Sequence, residues 1–198
     1  MDTPTPPDLQ FQVITDLIRE HARARPGQPA LVGSDTSLSY AALDALMDRV
    51  AASLQRDGLK AGETIAICAH ASPRYAAVFL GALRAGAAVA PLAPSVTAAS
   101  FASMLGDAQA KCLFVDAAAT ELLPSAGSVP HCISLDARSP GQDFEQWLVA
   151  PDCKPAALRA GSHRAVRIRS PRRARRATSA CRAIARCPSA ARSFPTSR

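Results

Sequence analysis

TIAICAHASPRYAAVFLGALRAGAAVAPLAPSVTAASFASMLGDAQAKCLFV, residues 64–115, decides the fold. Its first six residues, TIAICA (64–69), form an unbroken apolar run of strand length, as expected of a strand covered on both faces. Ser72 followed by Pro73 marks a helix start, because the serine oxygen can accept an orphan N–H and proline has no N–H to orphan. Val78, Phe79, Ala82 and Leu83 then recur at helical spacing, and Gly86 closes the helix. Residues 87–90 read as a second strand running into Pro91. Thr97 is placed to cap a helix that continues through Leu105 and stops at Gly106, and KCLFV (111–115) is a third strand. Strands separated by single helices require crossovers, and crossovers require a mostly parallel sheet. The predicted fold class is α/β, an incomplete, mostly parallel sheet with flanking helices.

Working outward, residues 40–57 contain the most regular helix. Ser39 is placed to cap it, Leu43, Leu46, Met47, Val50, Ala51 and Leu54 keep a 3.6-residue period, and Gly58 stands at C′. Residues 11–24 read as a helix with Val13, Ile14, Leu17, Ile18 and His21 on one side, stopped by Arg25-Pro26-Gly27. Residues 30–32 and 38–40 flank Gly33-Ser34-Asp35-Thr36 as a short hairpin, expected at an edge of the main sheet. HCISL (131–135) reads as a fourth parallel strand. The predicted organisation is a disordered lead over 1–10, a folded unit over 11–150, and a disordered Arg/Ala/Ser/Pro-rich tail over 151–198.

Charge divides the chain at the same place. Residues 1–154 hold 11 Lys+Arg against all 16 Asp+Glu, a net of −5, while residues 155–198 hold 12 Arg and no acid. The basic balance of the whole chain therefore belongs to its end, and it does not by itself make the folded unit a nucleic-acid binder. Cys68, Cys112, Cys132, Cys153, Cys181 and Cys187 include no C-x-x-C pair, so they are expected to be free thiols. The acidic, Pro-rich opening MDTPTPPD lacks the layout of a secretory signal. Residues 76–93 are too short and too broken by Arg84 and Pro91 to span a bilayer. A cytoplasmic location is expected.

The order of these segments carries a family resemblance over residues 13–116. LIREHARARPGQPALV (17–32), SLSYAALDALMDRVAASLQRDGLKAGETIAI (37–67) and the stretch from Ser72 to Asp116 resemble, in order and spacing, the N-terminal subdomain of adenylate-forming, AMP-binding enzymes of the acyl-CoA synthetase type. The resemblance implies a two-step ligase in which ATP and Mg²⁺ activate a small carboxylic acid as an acyl-adenylate, and the thiol of coenzyme A then takes the acyl group. A setting in fatty acid metabolism goes with it. In such enzymes the chemistry is done by a Gly- and Ser/Thr-rich phosphate loop ending in Pro-Lys-Gly, a Tyr-Gly-x-Thr-Glu motif, a Thr-Gly-Asp aspartate and a lid lysine. None of these occurs in this sequence, and no two of its 10 glycines stand closer than four positions, at Gly58 and Gly62. Hence no catalytic, cofactor-binding or metal-binding residue is assigned, and the chain alone is expected to be inactive.

The composition from Pro155 on, apart from its single glycine, fits what a GC-rich coding region gives in a wrong frame. The expectation is a truncated ligase with a frameshift between about residues 150 and 165. Two rivals stand beside it. Twelve arginines without acid would hold nucleic acid or another anionic surface non-specifically, and apolar surface left uncovered would favour self-association or docking onto an intact synthetase. Several residues invite functional readings that packing explains more simply. His21 reads as a half-buried packing residue, Asp44 and Asp48 as a solvated face with Arg49 and Arg56, and Arg74, Tyr75 and Arg84 as a core-and-rim patch. His131-Cys132 lacks further metal ligands nearby in sequence. His70 draws interest because it follows a strand at the end where α/β folds place their sites, but its sequence neighbours include no partner carboxylate.

Overall fold

The computed structural model describes residues 13–33, 36–123 and 131–157. The elements run α1 (Ile14–Ala24), β1 (Pro29–Val32), β2 (Ser37–Ser39), α2 (Tyr40–Arg56), β3 (Thr64–Cys68), α3 (Pro73–Arg84), β4 (Ala88–Leu92), α4 (Ala98–Ala108) and β5 (Cys112–Val115). A 3-10 helix (Ala117–Leu122), β6 (His131–Ser134), β7 (Gln142–Asp143) and α5 (Phe144–Trp147) follow. Strands β4-β3-β5-β6-β7 form one sheet with every pair parallel. The predicted α/β class is therefore correct. The expected lead and nearly all of the expected tail lie outside the described residues.

Alternation along the central strands builds two cores. Ile65 and Ile67 of β3 and Phe114 of β5 face α2, α3 and α5, packing with Val50, Leu54, Val78 and Trp147. Ala66, Cys68, Leu113 and Val115 face the other way, against Phe101 and Leu105 of α4. Both sides of β3 and β5 are thus covered, which is why their sequence reads as continuous apolar runs instead of alternating ones. A third cluster, Ile18, Leu43, Met47 and Ala77, holds α1 against α2 and α3. Gly81 sets the α2–α3 distance, since a Cβ there would lie 2.7 Å from the Val50 Cβ.

The helix caps follow the sequence. The Ser39 hydroxyl accepts from the Ala42 N–H at 3.2 Å, and the Ser72 hydroxyl accepts from the Tyr75 N–H at 3.1 Å. After α2, Gly58 takes φ +84° while its N–H donates to Gln55 and the Leu59 N–H donates to Leu54, the paired bonds of a Schellman closure.

Four expectations are corrected. The β1–β2 hairpin is a separate two-stranded antiparallel sheet, not an edge of the main one; it packs through Leu31 and Leu38 beside the third cluster. Pro91 lies inside β4, because β4 is an edge strand and its missing N–H breaks no ladder bond. Helix α4 passes through Gly106 and ends at Gln109, which itself adopts the left-handed conformation at φ 49°. On α1 the buried positions are Thr15 and Ile18, while Val13, Ile14 and Leu17 remain 39%, 51% and 36% exposed.

Candidate functional site

All five strands of the sheet are parallel, so their C-terminal ends share one edge. The chain goes from β3 outward to β4 and then crosses back to β5 on the other side of β3. The boundary between β3 and β5 is therefore the point where the strand order reverses, and open α/β sheets bind ligands at such a point. His70, two residues past β3, and Asp116, one past β5, meet there. Asp116 Oδ2 accepts from the His70 backbone N–H at 2.7 Å and lies 3.1 Å from His70 Nδ1. Its other oxygen caps the 3-10 helix by accepting from the Ala118 N–H at 3.0 Å. The carboxylate orients the imidazole through Nδ1, with the His70 side chain 73% exposed. The partner that the neighbouring sequence lacks is thus supplied from 46 positions away.

Behind this pair the groups are inert. Burial, and secondarily the charge of Asp116, pushes the Cys68 thiol up to about 11, so it is protonated at neutral pH and is no nucleophile. Burial also raises the Tyr75 hydroxyl, with a smaller contribution from Cys68. Further along the edge, Asp136 is pulled two ways. Partial burial raises its pKa, but the N–H groups of Arg138, Ala117 and Ser139 and the Ser139 hydroxyl outweigh it and bring the group to about 2. Asp136 thereby ties the β6 exit to the start of the 3-10 helix.

The other singled-out residues scatter. His131 and Cys132 begin β6 at the opposite edge of the sheet, where His131 Nε2 lies 3.0 Å from Gln142 Oε1. Cys112 is pushed up to about 12, first by burial and then by the charges of Asp57 and Cys132. His21 packs edge-on against the Tyr40 ring at 5.1 Å. Arg74 and Arg84 do not share a patch, since they sit at opposite ends of α3. Arg74 donates to the Leu135 carbonyl at 2.7 Å, and Arg84 is buried. Asp44 and Asp48 are not a solvated face with Arg49 and Arg56 either. They bind Arg84 at 2.6 and 2.8 Å, joined by Arg19 at 2.7 Å from Asp48, while Arg49 and Arg56 donate to the carbonyls of Val149 and Trp147.

The profile of the AMP-binding enzyme family matches residues 18–171. The chain belongs to that family. It is 36% identical over 111 residues to a linear gramicidin synthase of Brevibacillus parabrevis, a match covering 56% of this chain and 1% of that protein. Among solved structures, it superposes on a fatty acyl CoA synthetase of Mycobacterium tuberculosis with a TM-score of 0.63 at 24% identity, covering 73% of this chain and 30% of the synthetase. It also superposes on VinN, in complex with L-aspartate, with a TM-score of 0.59 at 25% identity, covering 64% and 36% of the two chains. This member of the AMP-binding family thus spans a minor part of the length of the proteins it matches.

The sequence holds no Gly-rich loop of the kind that cradles phosphate. A phosphate cradle needs backbone N–H groups brought close by neighbouring glycines, and the spacing of the glycines denies this throughout the sequence. Among the described residues no group of three His, Cys, Asp or Glu side chains is placed to hold a metal ion. Among the same residues, no helix is long and apolar enough to cross a membrane.

Proposed function

We propose that residues 13–157 are the N-terminal scaffold of an ATP-dependent, AMP-forming carboxylate ligase, and that this chain by itself does not form an acyl-adenylate. One observation carries the reading. A fully packed family scaffold stands in a sequence that contains none of the phosphate-loop, Tyr-Gly, Thr-Gly-Asp or lid-lysine motifs. The parent reaction is activation of a carboxylic acid followed by transfer to a thiol, with coenzyme A as acceptor in the first reading. A second reading takes an amino acid as the acid, and the likeness to VinN with L-aspartate supports it. The Arg/Ala/Ser/Pro-rich composition from residue 155 on supports a shift of reading frame.

ATP–pyrophosphate exchange over a panel of fatty acids and amino acids, L-aspartate included, tests the catalytic half. Exchange is expected at background with every acid, and acid-dependent exchange above background overturns the inactivity. The coding DNA from codon 140 onward, through several hundred bases past codon 198 and read in every frame, tests the other half. Another frame encoding a Gly/Thr-rich loop that ends in Pro-Lys-Gly is expected, and three empty frames would sink the truncated-ligase reading.

A further inference from the structure

Helix α2 presents a row of polar side chains to the segment that follows α5, and each bonds the main chain of that segment. Arg56 donates to the Trp147 carbonyl at 2.9 Å, and Arg49 donates to the Val149 carbonyl at 2.9 Å. The Val149 N–H donates to the Ser53 hydroxyl at 2.9 Å. Gln55 brackets Ala156, accepting its N–H at 2.7 Å and donating to its carbonyl at 3.1 Å. Burial divides the same stretch sharply. Trp147 is fully buried between Phe114 and Phe144, with its indole N–H donating to Asp57 at 2.6 Å, and Leu148 is buried beside it. From residue 149 to 157 no side chain is buried.

We propose that residues 149–157 are a releasable strap, held on α2 by side chains of that helix that bond the strap main chain at Val149 and Ala156, and pivoting on the fixed Trp147 anchor. The two Gln55 bonds to Ala156 lie at an exposed site, where water replaces them when they break, while the Arg49 and Ser53 bonds to Val149 are half-buried and hold the strap at its Trp147 end. The indole, packed on two rings, stays in place. The strap therefore opens and reseats without disturbing β3 or β5, as a local opening below the global unfolding free energy. Because the contacts are to backbone, the strap is read without regard to its own side chains.

Hydrogen exchange on the full chain, resolved to single amides, tests this. The Val149 and Ala156 amides should exchange more slowly than in a free peptide, yet in a step separate from and faster than the β3 amides. Gln55→Ala should speed exchange at Ala156, and Ser53→Ala at Val149, each roughly fivefold, with Ile65 to Ile67 unchanged as the folding control. Asp152→Ala and Lys154→Ala within the strap should change neither rate. Exchange of the strap together with the sheet, exchange at free-peptide rates, or indifference to both α2 substitutions would overturn the proposal. Since none of these rates depends on adenylation, pyrophosphate exchange can fail or succeed without deciding the strap.

Discussion

Four hydrogen bonds leave the Arg84 guanidinium, to the Asp44 and Thr15 carbonyls and to the Asp44 and Asp48 carboxylates. With its side chain only 7% exposed, this one residue joins α3 to both α1 and α2. Removing the cation would leave two half-buried carboxylates facing each other with Arg19 as their remaining partner. An unpaired buried charge costs more than the pair ever contributes. Arg84→Met, which keeps the aliphatic stem, is therefore expected to lose about 3 kcal/mol, read as a lower urea midpoint at unchanged slope. Adding Asp44→Asn and Asp48→Asn should recover part of that loss, because the charges left behind are then gone. A loss in Arg84→Met no larger than that of an exposed ion pair would show that the cluster is solvated in solution.

At the scale of elements, the helices and strands whose signals are local could be read directly. The Ser39 and Ser72 caps, Pro73 at the first helical position and the Gly58 closure depend on residues within a few positions of one another. What the sequence concealed depends on distant partners. Asp44 and Asp48 look solvated until Arg84 arrives from 36 to 40 positions away. His70 and Asp116 are brought together only because the two strands before them are neighbours and parallel. That rule, that residues just past adjacent parallel strands converge, is usable only once the strand order is known. Gly106 misled for a different reason: a glycine can sit inside a helix at modest cost, and it terminates one only where positive φ is required. Gly81 is the opposite case, a helical glycine with a packing role. Gly81→Ala drives a Cβ to within 2.7 Å of the Val50 Cβ and 3.1 Å of the Met47 carbonyl oxygen. Overpacking of this kind costs about 1–3 kcal/mol despite the better helix propensity of alanine. Val50→Ala in the same chain removes the Cγ1 contact at 2.7 Å but leaves the Cβ–Cβ approach and the Met47 carbonyl, so it should relieve only part of the overpacking. The double variant is thus expected to be modestly more stable than the sum of the two single losses implies in chemical denaturation, whereas strict additivity would place the contact elsewhere.

For the whole molecule, the described residues 13–157 hold three apolar clusters and the strap bonded to α2, while the excess of positive over negative charge lies beyond them. Residues 1–154 carry 11 Lys+Arg against 16 Asp+Glu, and the next three residues add no charge. A chain ending at Ala157 should consequently unfold in urea with the same midpoint and the same slope as the full chain, since the slope follows the surface exposed on unfolding. Its electrostatic behaviour should invert. At neutral pH the full chain, with formal net charge +7, is expected to be retained on a cation exchanger and released by salt, and the shortened chain to pass through and bind an anion exchanger instead. The two measurements separate stability from charge. A lowered midpoint with unchanged slope would mean that residues 158–198 contribute contacts to the folded unit, and a lowered slope would mean that they bury surface of their own. Either result would weaken the wrong-frame account of that segment, because a chance sequence with few large aliphatic side chains has too little apolar surface to offset the entropy of ordering it.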